Sequence, residues 1–238
     1  MYVLAGAFLV AGCYAFLFGT ANGRAYAAGS AAERASFAPV DSAFRGLMLA
    51  QLLVSATGAL VVTCEYASGT MRTSAVVVPW RGRLVIGKAV LVALVMLVCG
   101  PLVILVSVLV SQAALAAQGA PSLAPADPGV PWMIAGGGLY MTAIGLYGVA
   151  MGFLLRRTAG AVSLGSFLLL LPAMAPLFPE GVAGWVLTYW PTSAGGRVFA
   201  LDPPIPGALS PAAGFSVLAG TVLALLVAAS ALFRSRDV

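Results

Sequence analysis

One string in the sequence approaches a catalytic signature: Gly82-Arg83-Leu84-Val85-Ile86-Gly87-Lys88-Ala89 follows the phosphate-binding loop pattern up to its last position. That position needs a hydroxyl to hold magnesium, and Ala89 has none. A phosphate loop also follows a buried strand and opens a soluble helix, whereas this string runs straight into an apolar stretch. The string is therefore no nucleotide site. The chain has no histidine, which removes the usual zinc and haem ligand, the serine-histidine triad and the physiological-pH proton switch. Cys13, Cys64 and Cys99 lie in or at the ends of apolar runs without metal-ligand spacing, and are expected as small buried hydrophobes.

Carboxylates inside an apolar run would point to proton-coupled transport, since each costs about 3 kcal/mol or more at the bilayer centre. Only Glu65 comes near such a run, at its end. Gln51, Ser55 and Thr57 give the same run a polar side, with Gln51 and Ser55 four residues apart on one helical face. Two roles suit them: lining a substrate path, with Phe167 of a later run, or hydrogen bonding between helices, the commoner use of such residues in membranes.

The elements that position these residues must be membrane helices. Of 238 residues, 61% are hydrophobic and 8% charged, with a mean hydropathy of +1.04, while water-soluble domains carry about a quarter charged residues. Apolar runs lie within residues 1–23, 46–64, 89–127, 129–155, 158–179 and 203–233. Each is long enough for the roughly 20 residues that cross about 30 Å of hydrocarbon. The sequence thus predicts a single all-α integral membrane domain over 1–238, with spans near 1–20, 45–63, 87–111, 132–155, 159–177 and 213–233. No Lys or Arg precedes the first run, which reads as a span rather than a cleaved signal peptide.

Charge sets the expected orientation. Arg72, Arg81, Arg83, Lys88, Arg156, Arg157, Arg234 and Arg236 fall on one side with Glu65 and Asp237; Arg24, Arg34, Arg45 and Arg197 fall on the other with Glu33, Asp41, Asp127, Glu180 and Asp202. Cation-rich loops stay cytoplasmic, so both chain ends are expected in the cytoplasm. Scattered between apolar runs, these cations serve topology rather than nucleic acid. Outside, residues 118–131 read as a Pro/Gly-rich cap, and Trp185, Tyr189 and Trp190 mark either a re-entrant helical hairpin, its second helix capped by Thr192 or Ser193, or a loop with lipid-anchoring aromatics. Gly148 and Gly152 form a small-xxx-small pair that suits close packing against another helix or a second subunit.

The connection between the second and third spans is the most specific stretch. Pro79 stops a segment over 69–78 long enough for two to three helical turns. Glu65, Ser68-Gly69-Thr70, Arg72, Pro79, Arg81, Arg83 and Lys88 resemble the E-x-x-SGT-x-R, P-x-R-x-R, K pattern of ABC type-2 exporter permeases. The resemblance extends over nearly the whole chain, through the Arg156-Arg157 turn and the Trp-x3-Tyr-x-Pro-x-x-Ala-Gly run from Trp185 to Gly195. It implies a cytoplasmic coupling helix between spans two and three, extracellular re-entrant helices between spans five and six, and an amphipathic elbow helix that the given sequence does not include. It further implies a transport subunit, not an enzyme, in a bacterial cytoplasmic (inner) membrane. Such a subunit pairs with an identical or similar permease chain and recruits two copies of a cytoplasmic ABC ATPase, on which ATP and magnesium reside. This chain then needs no cofactor or metal of its own, and contacts membrane lipid but no nucleic acid. Glu65, Ser68, Gly69, Thr70, Arg72, Pro79, Arg81 and Arg83 become the coupling residues: Gly69 allows a tight turn or close approach, Thr70 caps the helix, and Arg72 pairs with the ATPase or with Glu65. An ion-coupled secondary transporter working without an ATPase is the alternative, and an intramembrane enzyme is disfavoured by the missing histidine and buried acids.

Overall fold

Within hydrocarbon every backbone N–H and C=O needs a partner in its own segment, so long apolar runs become helices. The computed structural model of the chain describes residues 2–39, 41–70, 81–200 and 208–235, omitting the side chains of 41–46, 81 and 234. Its helices are α1 (Tyr2–Ala28), α2 (Ala31–Ala35), α3 (Asp41–Ser68), α4 (Arg81–Ala117), α5 (Val130–Leu155), α6 (Thr158–Leu170), α7 (Glu180–Tyr189), α8 (Pro191–Gly196) and α9 (Pro211–Ser235). A 3-10 turn at Leu171–Leu177 prolongs α6, where Pro172 and Pro176 withdraw the amide donors that would continue it. Among the described residues no strand occurs. Six helical segments among the described residues are long and apolar enough to cross a membrane: Tyr2–Ala28, Leu47–Ser68, Gly82–Ala117, Val130–Leu155, Thr158–Leu177 and Pro211–Phe233. The chain is an all-helical, multi-pass membrane protein.

The bundle is built around α5, which is buried nearly throughout and packs against α3, α4, α6 and α9. Its seam with α3 is made of backbone. A Cβ on Gly58 would meet the carbonyl oxygen of Gly145, and a Cβ on Gly148 would meet that of Ser55. The small residues at 148 and 152 thus serve a contact inside the chain, against Ser55, Ala59 and Val62 of α3. On the far side, α1 lies over α3 and α4 through Ala7, Ala11, Ala15, Gly19 and Gly23, one buried small residue every fourth position.

Contacts between distant residues sort the connections into two ends. At one, Glu65 meets Lys88, Thr63 meets Thr158, and Arg156 lies over Tyr66 and Phe233. At the other, Gln112 Nε2 donates to the Pro39 carbonyl (3.0 Å) and its Oε1 accepts from the Leu123 N–H (2.8 Å), so that one side chain on α4 holds two loops. There too Ser30 opens α2 in a reciprocal capping box with Glu33, whose carboxyl is held below the usual carboxylate range by the Ser30 backbone and hydroxyl donors.

The expectation of buried cysteines is corrected: Cys13 and Cys64 are exposed and Cys99 is half-buried. Exposure on an apolar helix in hydrocarbon costs a small hydrophobe nothing, because lipid replaces water.

Candidate functional site

The residues singled out around the second connection divide by position. Arg72 and Pro79 lie outside the described residues, and Arg81 is described only as the first backbone position of α4. The others gather at the joined ends of α3 and α4. Glu65 Oε1 lies 2.6 Å from Lys88 Nζ, which also donates to the Val61 carbonyl at 2.8 Å. The Lys88 side chain is only 12% exposed, against 37% for Glu65, so the ammonium relies on these two oxygens where the carboxylate still reaches solvent. Gly82 and Gly87, the glycines of the would-be phosphate loop, sit inside this helix, and its lysine is held by the ion pair.

Gly69 has φ +74° and nothing near its missing Cβ. It supplies the tight turn that ends α3. Ser68 Oγ and Thr70 Oγ1 are 2.8 Å apart, and Thr70 Oγ1 donates weakly to the Glu65 carbonyl at 3.5 Å. The Thr70 hydroxyl thus reaches back to the end of α3, and its expected role as a cap falls on residues outside the described ones. Arg83 is exposed on the first turn of α4.

Arg156 belongs to the same end, although its charge alone marked it only as an orienting residue. It terminates α5 in a left-handed conformation (φ 56°, ψ 4°), and its guanidinium stands 5.6 Å from the Tyr66 ring centre and 6.0 Å from that of Phe233. A non-glycine residue adopts this backbone at a cost of about 1 kcal/mol, which contact of a desolvated cation with an aromatic face offsets by a similar amount. It ties α5 to α3 and α9 next to the ion pair.

The three residues assigned to a substrate path go to different places. Gln51 is buried, its Oε1 accepting from the Tyr140 hydroxyl at 2.6 Å, and it lines a cavity of about 290 Å³ with Met48, Leu169, Pro172, Thr192 and Ser193. Ser55 is buried between α5 and α6, its hydroxyl beside Gly165 and its carbonyl against Gly148. Phe167 is 52% exposed on the outer face of α6. A second cavity, about 420 Å³, lies between α6, α7, α8 and α9 and is walled mainly by Trp185, Tyr189, Trp190, Leu218 and Leu225. Leu169 and Thr192 border both cavities.

The aromatic connection forms two helices, α7 and α8, joined at Trp190, whose indole Nε1 donates to the Leu168 carbonyl at 2.9 Å. The expected cap is corrected here. Pro191 takes the first helical position, Trp190 becomes the N-cap, and Thr192 falls inside α8 with its hydroxyl buried and without a partner.

No family model matches the chain, and no curated protein and no solved structure matches it either. Fold and site together define a class: a multi-pass membrane protein with six candidate spans among the described residues, an ion-paired end and largely apolar cavities between its helices.

Proposed function

We propose that the chain is the membrane-spanning permease subunit of an ATP-driven ABC exporter, paired with a second permease chain and served by two cytoplasmic ATPase subunits. The observation that carries this reading is the brace at the base of the second connection. Glu65 and Lys88, the first and last residues of the quoted pattern, close on each other across α3 and α4. A push on the connection between them would then enter two helices that act as one body, and α3 would pass it to α5 through the backbone seam at Gly58 and Gly148. On this reading the braced end is cytoplasmic, as its concentration of Arg83, Lys88, Arg156 and Arg157 favours. The Trp185–Gly195 helices then face outward as the re-entrant pair, in a bacterial inner membrane. ATP and magnesium stay on the ATPase.

The test is reconstitution into proteoliposomes with and without an ABC ATPase subunit, to be sought in the neighbouring gene. Co-purification of that ATPase, lost in Arg72→Ala and retained in wild type, together with ATP-dependent efflux of a hydrophobic dye, is the expected result. Dye flux driven by an ion gradient through the chain alone would overturn the proposal in favour of a secondary transporter.

A further inference from the structure

The two cavities that meet at Leu169 and Thr192 differ in kind. The larger is aromatic and aliphatic; the smaller carries Gln51 and Ser193. Among the described residues no charged side chain lines either one. Tyr140 donates to Gln51 Oε1, which leaves the carboxamide N–H pair as donors on the wall of the smaller chamber. Thr192 is 8% exposed, and its Oγ1 has no hydrogen-bond partner in the chain. A buried hydroxyl in that condition is uncommon, because it carries its full desolvation cost. Here it lies in the wall shared by an apolar chamber of ligand size and a donor-lined one.

We infer that the joined cavities bind a neutral amphiphile, its apolar body in the aromatic chamber and an acceptor-bearing head, an ester or amide carbonyl, against Gln51, Thr192 and Ser193. A charged head would find no counter-charge among the described lining residues, and an unpaired carboxylate or phosphate held there would forfeit part of its hydration. The inference rests on the cavities alone and holds whether or not an ATPase drives the chain.

The test uses the full chain in phosphatidylcholine vesicles with two photoreactive probes of equal tail length, a diazirine-bearing monoacylglycerol and the corresponding diazirine-bearing fatty acid at pH 8. The monoacylglycerol should label peptides spanning 185–192 and 217–225 and be competed by unlabelled monoacylglycerol, whereas the fatty acid should label only outward helix faces. Thr192→Val keeps the shape and removes the orphaned hydroxyl. It should weaken monoacylglycerol labelling about three- to tenfold while raising the midpoint of thermal unfolding without ligand by about 2–4 °C. A merely structural threonine would move both readouts downward. Gln51→Leu should also weaken labelling, but it strands the Tyr140 hydroxyl, so Thr192→Val decides. Equal cavity labelling by both probes, or monoacylglycerol labelling unchanged in Thr192→Val, would overturn the assignment.

Discussion

A methyl group at Gly148 tests the α3–α5 seam directly. The added Cβ would fall on the Ser55 carbonyl oxygen, 2.8 Å from the Ser55 carbonyl carbon and 3.1 Å from the Ala59 nitrogen. All three are backbone atoms, so no side chain can swing aside and the helices must separate towards the 3.5–4.0 Å of ordinary contact. Overpacking of this sort costs about 1–3 kcal/mol, with rigid backbone on the far side placing Gly148→Ala at the upper end. Alanine's better helix propensity returns about 1 kcal/mol, for a net loss of about 2 kcal/mol. At this chain length that lowers the unfolding midpoint by about 4–8 °C. Gly220→Ala is the matched control: it lies inside α9 with nothing within 4 Å of its missing Cβ, and should gain up to about 1 kcal/mol. Both variants would be melted in the same detergent with a thiol-reactive or tryptophan fluorescence readout. If Gly148→Ala melts at or above Gly220→Ala, the seam is not backbone-to-backbone. Combining Gly58→Ala with Gly148→Ala should cost less than the two losses added, since one separation of the helices relieves both clashes.

The Glu65–Lys88 brace should reveal itself as an asymmetry. Glu65→Ala strands a lysine that is 12% exposed and should destabilise more than Lys88→Met, which leaves a carboxylate still 37% exposed; the double variant should recover about 1 kcal/mol relative to additivity, and strictly additive losses in denaturant melts would refute the pairing. Orientation is checked by single cysteines at Ser74 and Ser122 in a background lacking Cys13, Cys64 and Cys99: Ser122→Cys should react with an impermeant maleimide on intact cells and Ser74→Cys only after permeabilisation, and outside labelling of both would end the six-span, both-ends-inside arrangement.

The six helices were legible because hydropathy alone marks a run that must bond to itself. Their ends were not. α1 continues through Arg24 to Ala28 and α4 begins at Arg81, well outside their apolar cores, because a helix once formed extends for as long as nothing stops it. The braced end was half legible: both Glu65 and Lys88 stood out, yet only packing of α3 on α4 joins residues 23 positions apart. Tyr140 gave no signal, being one tyrosine in a glycine-rich stretch whose partner lies on another helix. Thr192 did leave a trace that was misread. Proline before it claims the first helical position, which moves the cap to Trp190 and the threonine inside.

The length of α4 has a consequence for the protein's outer architecture. Its 37 residues run for about 55 Å, while the hydrocarbon core is about 30 Å thick. α4 is therefore longer than the hydrocarbon is thick, and Gln112, five residues from its end, is the cleat to which the loops at Pro39 and Leu123 are both made fast. Those two loops, far apart in sequence, share one mooring. Lengthening either would alter only its own slack, whereas loss of the single glutamine would remove one hydrogen bond from each at once.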